Sequence, residues 1–528
     1  MNHNLLYSGG TLGELIIASL NRFPDSIAFI CEDRKYSYRE VSERVSRAIQ
    51  LLKSLGLKKG DTIVQVSRNL PEQWFVMAAC YLLGYKSVTL QAMGSNEDHA
   101  FTVNDGEAVV AVFDSYFAAK ARDLKPLCPS VKHWFSHGDV DKNSENGEGM
   151  DNFWTLASAF TPAPLINETG PEDIIRLGYT GGTTGRPKGV ILSSRSMLYQ
   201  ALLALLEKDW PQKPVFLCPA PISHGAGANI IPTLSRGGTF IVLPGFNVDR
   251  VLDTIVEHRV SVLYGVPTML YALLDSPRTK QTDLSSLKSI MYGASPTSPT
   301  RIREAIEVFG PILCQTYGQT EAPSSITVLR QCDHDPNDLQ RLSSCGMAYP
   351  GIQVTLLDEH CKPVPDGEVG EVCVRGPIVM SGYWKQPELT AEVFKGNWLH
   401  SGDLAYRDAK GFYYIVDRKK DMIISGGFNV YPKEIEDILA THPGVSAVAI
   451  IGVPDDKWGE AVKAIIVPRK GMRPYPEELV SLVRDKKGPV YAPKSVEYVD
   501  SLPQTPVGKP DKAALRKKYW GGKTRAVN

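Results

Sequence analysis

The sequence carries no excess charge: 58 Lys and Arg balance 58 Asp and Glu over 528 residues. A zero net charge gives no sign of a nucleic-acid binder or of a protein held electrostatically to acidic membranes. C-x-x-C pairs are absent too. The nine cysteines, at 31, 80, 128, 218, 314, 332, 345, 361 and 373, are odd in number and scattered, which argues against a zinc site or a disulfide framework. Long apolar runs are also missing. The longest, WFVMAACYLLG at Trp74–Gly84, is too short to span a bilayer. No basic-then-apolar leader opens the chain, and its end, KTRAVN, is no retention or peroxisomal signal. The expected compartment is the cytoplasm. No internal repeat or low-complexity tract stands out.

What is present is ample core material, 43% hydrophobic, in a chain long enough for two or more domains. Short apolar runs at 61–67, 86–90, 108–113, 239–243, 261–266 and 289–294 read as buried strands. PEQWFVMAACYLL (Pro71–Leu83) reads as a helix with proline in its first turn. Strands separated by helices imply parallel sheets covered on both faces. The polar stretch 137–152 reads as a surface loop. Past Arg418 the pattern changes to a small α+β unit, with a helix starting at Pro432, strands at 445–453, 461–467 and 496–502, and a helix near 477–486. The expected fold is α/β: a large N-terminal domain (1–419) of parallel-rich sheets flanked by helices, then a small mobile α+β domain (420–528).

One stretch concentrates backbone freedom and donors. YTGGTTGRPKGV, Tyr179–Val190, holds four glycines, three threonines, a lysine and an arginine. Glycines let several N–H groups converge on one ligand, and hydroxyls and cations add donors, so a polyphosphate is the natural guest. The spacing is not that of a Walker loop. A flexible turn after a strand is the alternative.

This stretch resembles the phosphate-binding loop of the acyl-adenylate-forming enzymes, which include acyl-CoA synthetases, adenylation domains and luciferases. Seven further pieces match that family in order: PISHGAG (Pro221–Gly227), YGASPTSP (Tyr292–Pro299), YGQTEA (Tyr317–Ala322), GEVGEVCVRGP (Gly367–Pro377), HSGDLAYRD (His400–Asp408), IVDRKKDMIISGGFNVYPKEIE (Ile415–Glu436) and PQTPVGKPDK (Pro503–Lys512). The resemblance spans about Thr11 to Trp520. Glycine at 181 is a common variant of the loop, whereas TLQAMGSNEDHAF (Thr89–Phe101) departs from a proline–asparagine stretch often found in relatives.

The resemblance implies two half-reactions. A carboxylate attacks the α-phosphate of ATP and releases pyrophosphate. A thiol, here of coenzyme A, then attacks the acyl-adenylate. It assigns Thr180, Gly181, Gly182, Thr183, Thr184, Gly185 and Lys188 to the β- and γ-phosphates, and Thr320 to the α-phosphate. Glu321 and the Thr180 hydroxyl would ligate Mg2+. Gly293, Ala294, Ser295, Tyr317 and Gly318 would hold adenine, and Asp403 and Arg418 the ribose and phosphates. Lys509 would bridge the acid and the α-phosphate. Lys420 matches the hinge, about which the small domain turns to bring Gly426 and Gly427 to a pantetheine tunnel. His224 stands at the mouth of the acyl pocket.

Ala226, Gly227, Ala294 and Gly318 would form the pocket wall. Their small side chains favour a fatty, aromatic or ring-containing acid, and the absence of a cation among them disfavours amino acids and dicarboxylates. Expected partners are thus a small carboxylic acid, ATP and coenzyme A, without nucleic acid or a transmembrane segment; homodimerisation is left open. The rival readings are an enzyme that loads a separate carrier protein, a luciferase-like oxidase, and a catalytically inert nucleotide sensor. Retention of Lys509, Glu321 and Asp403 speaks against the last.

Overall fold

A computed structural model of the chain describes residues 10–140, 150–180, 186–295, 297–425, 428–455, 458–504 and 510–521. Among these residues the strands assemble into four sheets. The largest has nine strands. Ile27–Cys31, Thr239–Val242, Val215–Cys218, Val262–Gly265, Ser289–Gly293 and Leu313–Gln319 run parallel through its middle, and Ala322–Leu329 turns back antiparallel. An eight-stranded sheet is built around Thr62–Val66, Lys86–Thr89, Ala108–Asp114 and His133–His137, again parallel, with Ile174–Thr180 and Lys188–Ser193 forming a hairpin at one side.

Alternation along the strands explains the layering. In the nine-stranded sheet Phe29, Phe216, Phe240 and Met291 enter one core, while Ile30, Leu217, Ile241 and Ile290 enter another. In the eight-stranded sheet Ile63, Val110 and Val112 join the first of these cores, and Val64, Ala111 and Phe113 a third. Both sheets are therefore apolar on both faces and share a central layer, as near-continuous hydrophobic strands require. Helix Pro71–Leu83 fills that layer. It is buried at every position but Glu72, and it packs Trp74 and Phe75 on Phe29. Proline at its start and Gly84 at φ 73° at its end bound it as the sequence predicts.

Two regions depart from the simple reading. Residues 353–418 make a wholly antiparallel four-stranded sheet, Gln353–Leu357, Gly370–Arg375, Leu399–Arg407 and Tyr413–Arg418. Its strands mix charged and apolar residues and lack the apolar runs used to find strands elsewhere. The stretch read as one surface loop at 137–152 begins at the end of strand His133–His137 and closes with a short strand, Asp151–Asn152; residues 141–149 lie outside the described residues.

The C-terminal region forms a separate sheet from Ile423–Ser425, Phe428–Val430, Val445–Asp455 and Gly459–Pro468, with Ser495–Tyr498 added in parallel. Helices Pro432–Leu439 and Pro476–Lys487 pack onto it through Ile435, Leu439, Leu479 and Val483. No described helix is long and apolar enough to cross a membrane.

Candidate active site

Parallel α/β sheets leave a crevice at the carboxyl ends of their strands, where loops are free to diverge and bind. Three sheets meet at that edge here, and side-chain bonds join them. Tyr317, on strand Leu313–Gln319, donates its hydroxyl to Asp403 Oδ2 at 2.6 Å. Arg418 lies directly across from Asp403 in the antiparallel sheet, with its Nε 3.3 Å from Asp403 Oδ1. Asp403 is buried and Arg418 half exposed, so the carboxylate is fixed while the guanidinium fronts the crevice. Asp403 keeps Arg418 firmly charged, and burial, reinforced by Asp403, raises the Tyr317 phenol far above its ordinary range. Behind them Glu371 accepts from Gly402 N at 3.0 Å and pairs with His400 and Lys419, bracing the turn that carries Asp403.

The second junction lies at Glu321, in the turn between Leu313–Gln319 and Ala322–Leu329. Its Oε1 accepts the Tyr383 hydroxyl at 2.9 Å, and its carbonyl accepts from Met380 N at 2.8 Å. Tyr383 belongs to the eight-stranded sheet, and Lys188 holds its ammonium 5.7 Å from the centre of that ring. Thr180 and Lys188 pair across the hairpin that frames the glycine-rich stretch. Thr320 packs so closely on Gly178 that a Cβ there would strike its methyl group. Thr180, Lys188, Thr320 and Glu321 are thus brought together; Gly181, Gly182, Thr183, Thr184 and Gly185 lie outside the described residues.

The turn after Ser289–Gly293 is tightly built. A Cβ on Gly293 would run into the Thr316 carbonyl, and Ala294 adopts φ 70°, a left-handed conformation costly for a residue with a side chain. Ser295 continues this turn, beside the strand that carries Tyr317 and Gly318. A Cβ on Gly318 would meet the Ser324 backbone.

His224 ends a loop held from three sides. Asn69 donates to the carbonyls of Ala220 and Leu243 and accepts from Ile222 N, while Thr89 and Arg176 both donate to Ser223 O. Ser223 Oγ lies 2.8 Å from His224 Nδ1. Thr89 opens the stretch that departs from the family pattern; there Ser95 caps helix Asn96–Asp105. Beyond His224, the turn Gly225–Asn229 carries Ala226 and Gly227, and a Cβ on Gly227 would collide with the Ile222 carbonyl. Backbone closeness thus requires glycine at 227 whether or not it borders a substrate.

Lys420 follows directly on this sheet. Burial and the neighbouring Arg418 pull its ammonium below the usual lysine range. Asp417 accepts from Lys433 N at 3.1 Å, reaching from the antiparallel sheet to the start of helix Pro432–Leu439, whose own cap residue Tyr431 offers no side-chain bond. Gly426, Gly427 and Lys509 lie outside the described residues. Around Lys509 the described flanks converge: Gln504 bridges to Pro510, and Asp511 N donates to Pro503 O at 2.7 Å. Lys512 pairs with Glu436 and Arg516 with Asp421, both at 2.8 Å. Glu371, Tyr383, Asn69 and Asp417 escaped sequence reasoning because each acts across a fold contact that no local pattern encodes. No cluster of three or more metal-ligating side chains occurs among the described residues.

Comparison with known proteins agrees with this geometry. Residues 17–384 match the AMP-binding enzyme family and residues 434–509 the AMP-binding enzyme C-terminal domain. The chain is 42% identical to a medium/long-chain-fatty-acid–CoA ligase, FadD8, of Mycobacterium tuberculosis, over 99% of this chain and 92% of that one. It is 36% identical to a feruloyl-CoA synthase of an Amycolatopsis species, over 92% and 94% of the two chains. Among solved structures, the amide bond synthetase McbA of Marinactinospora thermotolerans superposes with a TM-score of 0.88 at 32% identity, covering 97% of this chain and all of that one. With more than two thirds of its length matched, the chain belongs to the AMP-binding, adenylate-forming enzyme family.

Proposed function

We infer that the protein is an AMP-forming acid–CoA ligase that joins a fatty, aromatic or ring-containing acid to coenzyme A at the expense of ATP. The observation that carries this reading is Asp403: a buried carboxylate, held by Tyr317 and flanked by Arg418, at the edge where three sheets meet. Such a carboxylate suits paired ribose hydroxyls, and the cation beside it suits the adjoining phosphate. Names of relatives that act on fatty and feruloyl groups support the substrate range.

In this reading the backbone of 180–185 and Lys188 take the β- and γ-phosphates, and Thr320 the α-phosphate. Both half-reactions gather negative charge in transition, and fixed N–H groups and cations meet it without reorganising. Magnesium fits the residues at hand. Glu321 keeps its Oε2 without a hydrogen-bond partner among the described residues, and the Thr180 strand ends beside Thr320. Glu321 and the Thr180 hydroxyl would hold the ion, which offsets phosphate charge. Lys509 is assigned to the first half-reaction only. Residues 1–419 and 420–528 form the two domains, and Lys420 is the swivel that exchanges Lys509 for Gly426 and Gly427. His224 closes the acyl pocket, whose wall includes Ala226, Gly227, Ala294 and Gly318.

The test is a panel of acids with ATP. Acid-dependent exchange of labelled pyrophosphate into ATP, and AMP release that requires coenzyme A, are expected. AMP release only with a carrier protein would move the acceptor. ATP binding without exchange for any acid would overturn the enzyme reading.

A further inference from the structure

The turn that presents Asp403 is built on a break in its sheet. Glu371 pairs with Leu404 and Cys373 with His400, so residues 401–403 bulge opposite the single residue Val372. Gly402 stands at the centre of this bulge, at φ 74°. A bulge disrupts the ladder locally and re-aims the side chains it carries. Here a side chain steps in where the ladder is broken: Glu371 Oε1 accepts the Gly402 N–H at 3.0 Å. From the other neighbouring strand, Lys419 N donates to the Gly402 carbonyl at 2.9 Å. Asp403 thus follows a residue held at both its N–H and its carbonyl.

Glu371 is itself fixed. It is only 9% exposed, and its Oε2 lies 3.1 Å from His400 Nδ1 and 3.3 Å from Lys419 Nζ. The rest of its strand, from Val372 to Val374, is buried and apolar. A buried ion pair is seldom more stable than apolar packing of the same volume, so stability alone does not account for a glutamate in this place. What the carboxylate adds is direction: an acceptor aimed at one N–H of the bulge. With both oxygens engaged, Glu371 acts on the site through Gly402 and not by touching a nucleotide.

Resting on the reading of Asp403 as the ribose carboxylate, we propose that Glu371 is a positioning residue that sets the enzyme's selectivity for the ribose hydroxyls of ATP. It holds the bulge in the shape that sends Asp403 to Tyr317 and Arg418, and so fixes that carboxylate for a pair of hydroxyls. Without the Glu371 bond the glycine turn gains other conformations, and Asp403 meets the ribose in only a fraction of them. The loss falls on nucleotides that carry both hydroxyls and spares those that lack one.

The experiment measures acid-dependent pyrophosphate exchange with ATP and with 3′-deoxy-ATP. The wild type is expected to favour ATP by about tenfold or more in kcat/KM, the worth of a hydrogen bond to a charged group. Glu371→Ala should lower that ratio severalfold through the KM for ATP, with the KM for the acid unchanged. Glu371→Gln, which keeps an acceptor for the Gly402 N–H, should recover part of it. Lys419→Met removes a partner of Glu371 from a half-exposed position, folds in any case, and should lower the ratio less. Val374→Ala, a core change in the same strand, should lower Tm and keep the ratio. A ratio that survives in Glu371→Ala, or in Lys419→Met should the alanine variant not fold, overturns the proposal; so does an equal fall in Val374→Ala. Asp403→Asn separates the two readings. A ratio lost there but kept in Glu371→Ala overturns the positioning role alone, and a ratio unchanged there overturns the ribose reading and the role with it.

Discussion

Asp403 serves two donors at once, and its value follows from that. Replacing it with Asn removes the charge that Arg418 and Tyr317 were placed to meet. A hydrogen bond to a charged group contributes about 1.5–3 kcal/mol, so Asp403→Asn should raise the KM for ATP by about 10- to 100-fold, as steady-state kinetics would read. Ala294 is a different kind of residue. Its left-handed backbone costs about 1 kcal/mol, which Ala294→Gly would relieve, but glycine gains a similar amount of freedom in the unfolded chain. Unfolding free energy should therefore stay within about 1 kcal/mol of wild type while the KM for ATP rises severalfold. Thermal unfolding and kinetics on one preparation check both halves. The sequence pointed to both residues through motifs. It gave no hint of Asn69, because a lone asparagine reads as a surface residue until packing shows the carbonyls it meets.

At the scale of elements, helix Pro432–Leu439 begins without a cap of its own and borrows Asp417 from the preceding sheet. An anion at a helix amino terminus is stabilising, yet burial pushes this carboxyl up to about 6, with Lys512 opposing the shift and Glu436 and Asp421 adding to it. The sign follows. Between about pH 4, the unfolded value, and pH 6 the folded state holds a proton that the unfolded chain releases, so this group's contribution to stability grows as pH falls. The bond to Lys433 N weakens over the same window, since a neutral carboxyl is a poorer acceptor, but relief of the buried charge is the larger effect, as the raised value requires. Proteolytic cleavage within 419–433, which exposes Asp417 to water, should therefore decrease between pH 7.5 and 5.5, and Asp417→Asn should flatten that dependence. Equal pH dependence in the two proteins would refute the link. Elements with continuous apolar runs or proline and glycine at their ends, such as Pro71–Leu83, were legible in the sequence. The antiparallel sheet of 353–418 was not, because its strands alternate toward solvent and break the run of apolar residues, although its motifs marked Asp403 and Arg418.

For the whole molecule, the proposed division of labour predicts a separation of steps. Lys509→Ala should abolish pyrophosphate exchange yet still form thioester from supplied acyl-adenylate. Lys420→Pro, which fixes φ near −65° at the proposed swivel, should do the reverse, keeping exchange and slowing thioester formation by tenfold or more in single-turnover assays. Equal loss of both steps in either variant would contradict a rotating small domain. The α/β architecture was legible because strands buried on both faces leave a strong apolar signal. The junctions between sheets were not, since Tyr383 and Glu321 lie 62 positions apart. Asn69 shows what such a junction means for the choice of acid. Its single amide gathers the ends of two strands and the loop leading to His224, from a position outside both the nucleotide and the acyl segments. If residues 225–230 line the acyl site as proposed, they rest on a foundation they do not themselves supply, so substitutions there should change which acid is accepted while leaving pyrophosphate exchange with ATP intact.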